Sequence, residues 1–246
     1  MVVLTLNRPG SRNAISSELA AGLCRVLGEL ASDSSARVVV LTGAGGAFCA
    51  GLDLKELGDS GTNFDGRFAE FARDLPQPTI AAIDGPAVTG GLELALACDI
   101  RIASAAARLA DTHVRVGVLP GSGASILLPR LIGYGRAMEM SLSGRYVGAA
   151  EAESWGLVNR VVDTDALGAA LELARQIAAN DPAAVTGIKQ LIRDGADRGV
   201  ADALVREREA AARYFETFDH RAVAATRGAI MQRAREESAA EARLPG

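Results

Sequence analysis

The chain has 246 residues, of which 49% are apolar and 23% are charged. This length and composition fit one large α/β domain, or such a domain with a helical appendage, and allow an extensive buried core. The net charge of −4 argues against nucleic acid as a partner. No segment reaches the roughly 18 apolar residues that span a membrane, and no basic-then-apolar leader is present. We therefore expect a cytoplasmic protein that binds neither nucleic acid nor membrane.

The first part of the chain alternates predicted strands and helices. An apolar run at 2–6 ends at a strong turn signal over 7–10, and Ser16 or Ser17 can cap the helix that follows. Four further short apolar runs predict strands, at 38–41, 79–83, 100–103 and 157–162. This alternation predicts an α/β fold.

Beyond Asp163 the sequence is alanine-rich and predicts helices only. Pro182 occupies a favourable first-turn position, and we expect His220 at the surface or in an interface. The predicted helices cover 164–180, 183–194, 199–215 and 220–237. We predict an α/β core over 1–190 and a C-terminal helical region over 191–246.

Two glycine-punctuated segments, AFCAGLDL at 47–54 and GPAVTGGLELALACD at 85–99, carry the most functional information. Each is predicted to turn out of a strand, with bare backbone that a ligand can approach closely. The second segment runs into a helix, so the amides near Gly90 and Gly91 lie at its positive end. Two amides that point at one place can stabilise a developing oxyanion, and Glu93 lies one turn away. The segments predict an acyl-transfer or enolate site without a metal.

Other chemistry-bearing motifs are incomplete or missing. The glycines at 43–46 resemble a dinucleotide fingerprint, but Phe48 occupies the third glycine position. The sequence contains neither a phosphate-binding loop nor a GxSxG nucleophile elbow. Cys24, Cys49 and Cys98 lie in apolar surroundings without a CxxC or a cysteine–histidine cluster, so we expect reduced thiols and no metal site.

Several motifs, taken in order, give the chain a resemblance to a known family. They are LNRPGSRNAIS, VVVLTGAGGAFCAGLDL, IAAIDGPAVTGGLELALACDIRIAS, GVLPGSGASILLPRLIG and SWGLVNRVV. In this order and spacing they resemble the enoyl-CoA hydratase/isomerase (crotonase) superfamily, and the resemblance covers most of residues 1–165. Several ordered motifs form a far more specific signal than any single glycine run.

The resemblance implies a fold, a substrate and an oxyanion hole. The fold would be a superhelix of stacked ββα turns with a C-terminal helical oligomerisation region, which assembles a homotrimer or a dimer of trimers. The substrate would be a coenzyme A thioester, with no separate cofactor. By position, the backbone amides of Leu52 and Gly90 would form the oxyanion hole for the thioester carbonyl.

The resemblance also implies a coenzyme A site at Arg12, Ala50, Asp53 and Leu54. Arg12 would meet the phosphates, or would be an exposed loop arginine without that role. The backbone around the other three would border the adenine, while Asp53 could instead cap the following helix. The segment 63–75 could wall the acyl pocket, although core packing explains its three phenylalanines equally well: Phe64, Phe68 and Phe71.

The chain departs from the family pattern at its second acidic position. Hydratases of the family use two glutamates to add water. Glu93 matches the first, whereas His113 occupies the second, and Thr112 replaces the usual proline. Histidine can still act as an acid or base near neutral pH. In an extended segment Asp111, His113 and Arg115 would share one face and Asp111 would orient His113, but in a turn or helix that pair would be absent.

These observations predict an enoyl-CoA hydratase-like lyase. Glu93 would be the principal acid–base group, His113 would assist, and the amides of Leu52 and Gly90 would bind the oxyanion. The alternatives are an isomerase with a single acid–base group, a thioester hydrolase or decarboxylase, and an acyl-CoA-binding homologue with weak or no catalysis. In the simplest structural interpretation Glu93 serves only its own helix terminus, and His113 only lines the pocket.

Overall fold

The computed structural model describes residues 1–60 and 66–216, together with residues 218, 219, 221, 227, 228, 231, 232 and 235. The chain divides into two compact units, residues 1–190 and residues 191–246. Phe64, His220 and most of the helix predicted over 220–237 lie outside the described residues. Within those residues, no helix combines the length and the hydrophobicity needed to cross a bilayer.

Eight strands form two sheets within the described part of the chain. They are β1 (Val2–Leu6), β2 (Val39–Gly43), β3 (Thr79–Ile83), β4 (Pro86–Val88), β5 (Ile100–Ser104), β6 (Arg108–Ala110), β7 (Tyr146–Gly148) and β8 (Arg160–Val162). The larger sheet is parallel throughout, in the order β1-β2-β3-β5-β8. In the smaller sheet, β4 pairs parallel with β6 and β6 pairs antiparallel with β7.

The described residues also form eleven α-helices. They are α1 (Ser17–Ala31), α2 (Leu54–Ser60), α3 (Arg67–Asp74), α4 (Gly90–Ala97), α5 (His113–Val116), α6 (Ala124–Ile132), α7 (Tyr134–Ser143), α8 (Ala149–Trp155), α9 (Ala166–Ala178), α10 (Pro182–Ala196) and α11 (Val200–Glu216). Side-chain caps satisfy free amides at several of the helix starts. Ser16 accepts a hydrogen bond from the Leu19 amide at the start of α1, and Asp165 accepts one from the Gly168 amide at the start of α9.

The middle of the chain repeats a strand–strand–helix unit. β3 leads to β4 and α4, and β5 leads to β6 and α5; the first strand of each pair joins the larger sheet and the second joins the smaller. Gly85 makes the turn between β3 and β4 at φ +79°, where a Cβ would overlap the Gly46 carbonyl oxygen, so this turn needs glycine. These units confirm the α/β fold of stacked ββα turns.

The three central strands of the larger sheet, β2, β3 and β5, are buried on both faces, as their continuous apolar runs predict. Successive side chains of β3 point to opposite faces. Ala81 and Ile83 join the main core, to which α1, α3 and α4 contribute, whereas Ile80 and Ala82 pack against α9. The start of α4, which lies directly after β4, is thereby held against a rigid core.

One predicted strand is shorter than expected. The apolar run at 157–162 contains only β8, because α8 ends at Gly156 in the left-handed conformation and the Leu157 amide bonds back to the Ala152 carbonyl. Leu157 and Val158 therefore close the end of α8. The predicted helices at 164–180, 183–194 and 199–215 correspond to α9, α10 and α11.

Candidate active site

Helix α4 begins immediately after a strained turn. Thr89 has φ 53° and ψ −116°, a backbone region that residues with a Cβ rarely occupy. Its amide donates to the Ala110 carbonyl, and its Oγ1 lies 2.6 Å from Oγ1 of Thr112. The amide of Gly90, the first residue of the helix, has no acceptor among the described residues. The turn thus presents an unpaired N–H at the positive end of α4.

Leu52 presents a second unpaired amide. Ile15 pairs with it as an isolated parallel bridge, in which the Ile15 amide donates to Gly51 at 2.7 Å and the Asp53 amide donates to Ile15 at 2.9 Å. Both bonds run through the neighbours of Leu52, so its own N–H has no acceptor in the described structure. The Leu52 side chain lies 3.7 Å from the place where a Cβ on Gly90 would stand. The fold therefore brings these two sequence-predicted residues together.

Glu93 is buried, with 2% of its surface exposed. Its Oε1 accepts hydrogen bonds from the amides of Ser122 at 2.8 Å and Ala124 at 3.2 Å. Ala124 begins α6, whose N-cap residue Gly123 offers no side-chain cap. Burial raises the pKa of Glu93 above its ordinary value, although the two amides and His113 act in the opposite direction. The Glu93 side chain therefore caps the first turn of α6, so its role is not limited to the terminus of its own helix.

His113 lies between two carboxylates. Its Nε2 is 3.6 Å from Oε2 of Glu93, and its Nδ1 is 2.5 Å from Oδ1 of Asp111. Ser141, on α7, donates from Oγ to Oδ2 of Asp111 at 2.6 Å. Burial acts to raise the pKa of Asp111, but the hydrogen bonds from His113 and Ser141 outweigh it and hold that pKa below its usual value. These four side chains form one continuous series, in which Glu93, His113 and Asp111 are buried and Ser141 is half-buried.

Asp111 and His113 form a hydrogen-bonded pair although the backbone at His113 is helical, a conformation for which the sequence analysis expected no such pair. His113 is the first residue of α5 and not part of an extended segment, so the expectation that a helix would separate the two side chains was wrong. Oδ1 of Asp111 also approaches the His113 amide at 3.4 Å. This is the local pattern by which an aspartate bonds to backbone two residues on. Arg115 is exposed and does not share this face.

The predicted coenzyme A residues lie around the Leu52 segment. The Ala50 amide donates to the Arg12 carbonyl at 3.0 Å, while the Arg12 side chain and Leu54 are exposed. Asp53 accepts from a backbone amide in the first turn of α2 and from Nη1 of Arg8 at 3.1 Å. The hydrogen bond from Arg8 lowers the pKa of Asp53. The geometry of Asp53 is therefore that of the helix cap, the second of its two predicted roles.

A small cavity of about 60 Å³ lies beside Leu52 and the turn at Thr89. Its lining is apolar apart from the hydroxyl pair of Thr89 and Thr112, and it includes Leu52 and Leu57. Larger cavities of about 380 and 420 Å³ lie elsewhere, and none of the predicted site residues lines them. Phe68, 1% exposed, belongs to the main core, as the core-packing alternative holds. Among the described residues, no group of three histidine, cysteine or acidic side chains could hold a metal ion.

The chain is similar to proteins of a known family along most of its length. The family model for enoyl-CoA hydratase/isomerase matches residues 1–235. The short-chain-enoyl-CoA hydratase of Clostridium acetobutylicum is 37% identical, over 90% of this chain and 88% of that protein. The mitochondrial methylglutaconyl-CoA hydratase of Homo sapiens is 36% identical, over 89% of this chain and 68% of that protein. The crystal structure of an enoyl-CoA hydratase from Bacillus anthracis superposes with a TM-score of 0.84 at 38% identity, over 96% of this chain and 93% of that one. The chain belongs to the enoyl-CoA hydratase/isomerase (crotonase) family.

Proposed function

We propose that the chain adds water to a 2-enoyl-CoA thioester, with Glu93 and His113 as its catalytic pair and the amides of Leu52 and Gly90 as its oxyanion hole. The observation that carries this proposal is the buried approach of Glu93 to His113 within the same fold that leaves those two amides unpaired. The relatives named above are themselves called hydratases, which supports the choice of reaction.

The oxyanion hole acts on the thioester carbonyl. When water adds to the β-carbon, negative charge moves through the enolate onto the carbonyl oxygen, and donors already in place stabilise that charge without reorganising. Leu52 and Gly90 can supply such donors because neither amide is used by the described structure. The strained turn at Thr89 holds the N–H of Gly90 in a fixed direction.

Glu93 and His113 then handle the protons. Addition of water gives a hydroxyl on the β-carbon and a hydrogen on the α-carbon, so one proton leaves the water and one reaches carbon. Oε1 of Glu93 is committed to two amides, which leaves Oε2 to exchange protons. Because burial raises the pKa of Glu93, its carboxylate is a stronger base than an exposed one. Nε2 of His113, 3.6 Å from Oε2, holds the same water or delivers the second proton.

The product identifies the reaction. We expect the purified protein to convert a short 2-enoyl-CoA into a species heavier by one water, the 3-hydroxyacyl thioester. Isomerisation would leave the mass unchanged, and hydrolysis would release free coenzyme A. His113→Gln should lower turnover by about 10²-fold or more, whereas His220→Gln serves as the matched control for the other histidine. Absence of any hydrated product from short, branched and long 2-enoyl-CoA thioesters would refute the proposal.

We also propose a homotrimer or a dimer of trimers, in the cytoplasm, that needs no cofactor beyond the coenzyme A of its substrate. Exposed apolar side chains on α11 support an assembly role for residues 191–246, among them Val200, Leu204 and Phe215. Light scattering should give about three or six times the protomer mass of 25.4 kDa. A monomeric mass at micromolar concentration would contradict this assembly.

A further inference from the structure

We propose that Asp111 and Ser141 are positioning residues that keep a proton on Nδ1 of His113 and turn Nε2 toward Glu93. Neither residue would contact the thioester. The consequence for turnover rests on the proposed function, whereas the protonation of the ring can be measured on the protein alone.

The direction of each hydrogen bond follows from the groups involved. An ionised aspartate only accepts, so the Ser141 hydroxyl donates to Oδ2 at 2.6 Å and the ring donates from Nδ1 to Oδ1 at 2.5 Å. Asp111 is 2% exposed, and the hydrogen bonds that it accepts favour its ionised form over the protonated one. Nδ1 of His113 must therefore carry the proton.

Ser141 stabilises this arrangement from a separate helix. It lies on α7, while Asp111 precedes α5, so the serine hydroxyl ties the carboxylate to an element beyond its own loop. The carboxylate plane is thereby set by contacts on both oxygens. The charged groups in contact with the His113 ring are Asp111 on Nδ1 and Glu93 facing Nε2. No other charged side chain in the described structure forms an ion pair with that ring.

The tautomer decides what His113 can do. With the proton on Nδ1, a neutral ring offers a bare Nε2 that accepts a proton from water and later returns it. With the proton on Nε2, a neutral ring could only donate toward Glu93, and it could not act as a base there. The pair of positioning residues therefore gives a histidine the reversible proton transfer that a glutamate would provide.

Nitrogen-15 NMR of histidine-labelled protein tests the assignment directly. The chain has two histidines, so His220→Gln leaves the His113 ring alone in the spectrum. We expect a proton on Nδ1 throughout the range in which the protein is folded. Asp111→Asn should move the neutral ring toward the Nε2–H form. Ser141→Ala should give a mixture of the two tautomers, and Ser141→Thr should restore the Nδ1–H form. An unprotonated Nδ1 in the parent protein, or identical spectra in both variants, would overturn the proposal.

Kinetics supply the second readout. Asp111→Asn should lower kcat by about 10²-fold or more and Ser141→Ala by about tenfold, both with KM nearly unchanged. Ser143→Ala is the matched control, because that serine also lies on α7 but donates to the Glu139 carbonyl. If Asp111→Asn fails to fold, the serine variants carry the test. Unaltered kcat in a folded Asp111→Asn protein would remove the positioning role alone. A parent protein that shows the Nδ1 proton but forms no hydrated product would instead refute the proposed function.

Discussion

Replacing Glu93 with glutamine separates its chemical role from its structural one. Glutamine has the same length, and its carbonyl oxygen can still accept from the amides of Ser122 and Ala124. It cannot take or return a proton. We therefore expect kcat to fall by about 10²–10⁴-fold, which raises the barrier by about 3–5 kcal/mol. KM should change little, since the proposed carbonyl donors are untouched.

The stability of Glu93→Gln should move in the opposite direction. Burial raises the pKa of Glu93 in the folded protein, so the folded state binds that proton more tightly than the unfolded state does. The contribution of this group to stability is therefore present at acidic pH and is lost as the pH rises through the folded pKa. Near neutral pH the buried charge is a cost, which glutamine avoids. The variant should unfold at the same temperature as the parent protein or higher, and any advantage should shrink in acid.

Initial rates at saturating 2-enoyl-CoA, with the product identified by mass, provide the assay, and thermal unfolding provides the control for folding. Glu29→Gln is the matched variant, because Glu29 is an exposed acid that pairs with Arg25 at the surface and such pairs contribute little. A folded Glu93→Gln protein that retains kcat within tenfold of the parent would refute the role of Glu93 as principal acid–base group.

Adjacent glycines should respond differently to the same substitution. A Cβ on Gly91 would overlap the Cys49 carbonyl oxygen and lie 2.7 Å from Cys49 Cβ, whereas a Cβ on Gly90 meets nothing nearer than 3.5 Å. In urea unfolding, Gly91→Ala should lose about 3 kcal/mol and Gly90→Ala should change by about 1 kcal/mol or less; equal losses would contradict this geometry. Burial raises the pKa of Cys49 and of Cys98 to about 12. The native protein should therefore expose one reactive thiol, that of half-buried Cys24, to an aromatic disulfide reagent, and three after denaturation. A second fast native thiol would show that the main core, which holds both Cys49 and Cys98, opens.

The sequence predicts those strands that are buried along their whole length. The runs at 38–41, 79–83 and 100–103 correspond to β2, β3 and β5, because a strand covered on both faces is apolar along its whole length. β4, β6 and β7 have three residues each, too few for an alternating pattern to emerge. Their existence depends on pairing with one another, which is a tertiary property.

The candidate site likewise contains residues that the sequence predicts and residues that it does not. The glycine segments mark Leu52 and Gly90 locally, since bare backbone at a helix start is visible in the sequence. The partners of Glu93 are not visible, because Ser122 and Ala124 act through backbone amides and lie about 30 residues away. Ser141 belongs to no motif, and only the packing of α5 near α7 brings it to Asp111. Residues that act through a contact made by the fold leave no local signal.

The charge that a histidine at position 113 gives the site depends on Asp111. Two buried glutamates, as the family pattern has at these positions, hold one proton between them and carry a net charge of −1. Once Nε2 of His113 has taken a proton from the water, the ring between ionised Asp111 and Glu93 also gives −1 in total, so the developing oxyanion experiences a similar field. His113→Glu alone would add a third carboxylate, and we expect it to be less active than His113→Glu combined with Asp111→Asn, which restores the two-carboxylate arrangement. Equal kcat values for the single and double variants, measured on the same 2-enoyl-CoA, would show that the charge of Asp111 is not felt at the reacting atoms.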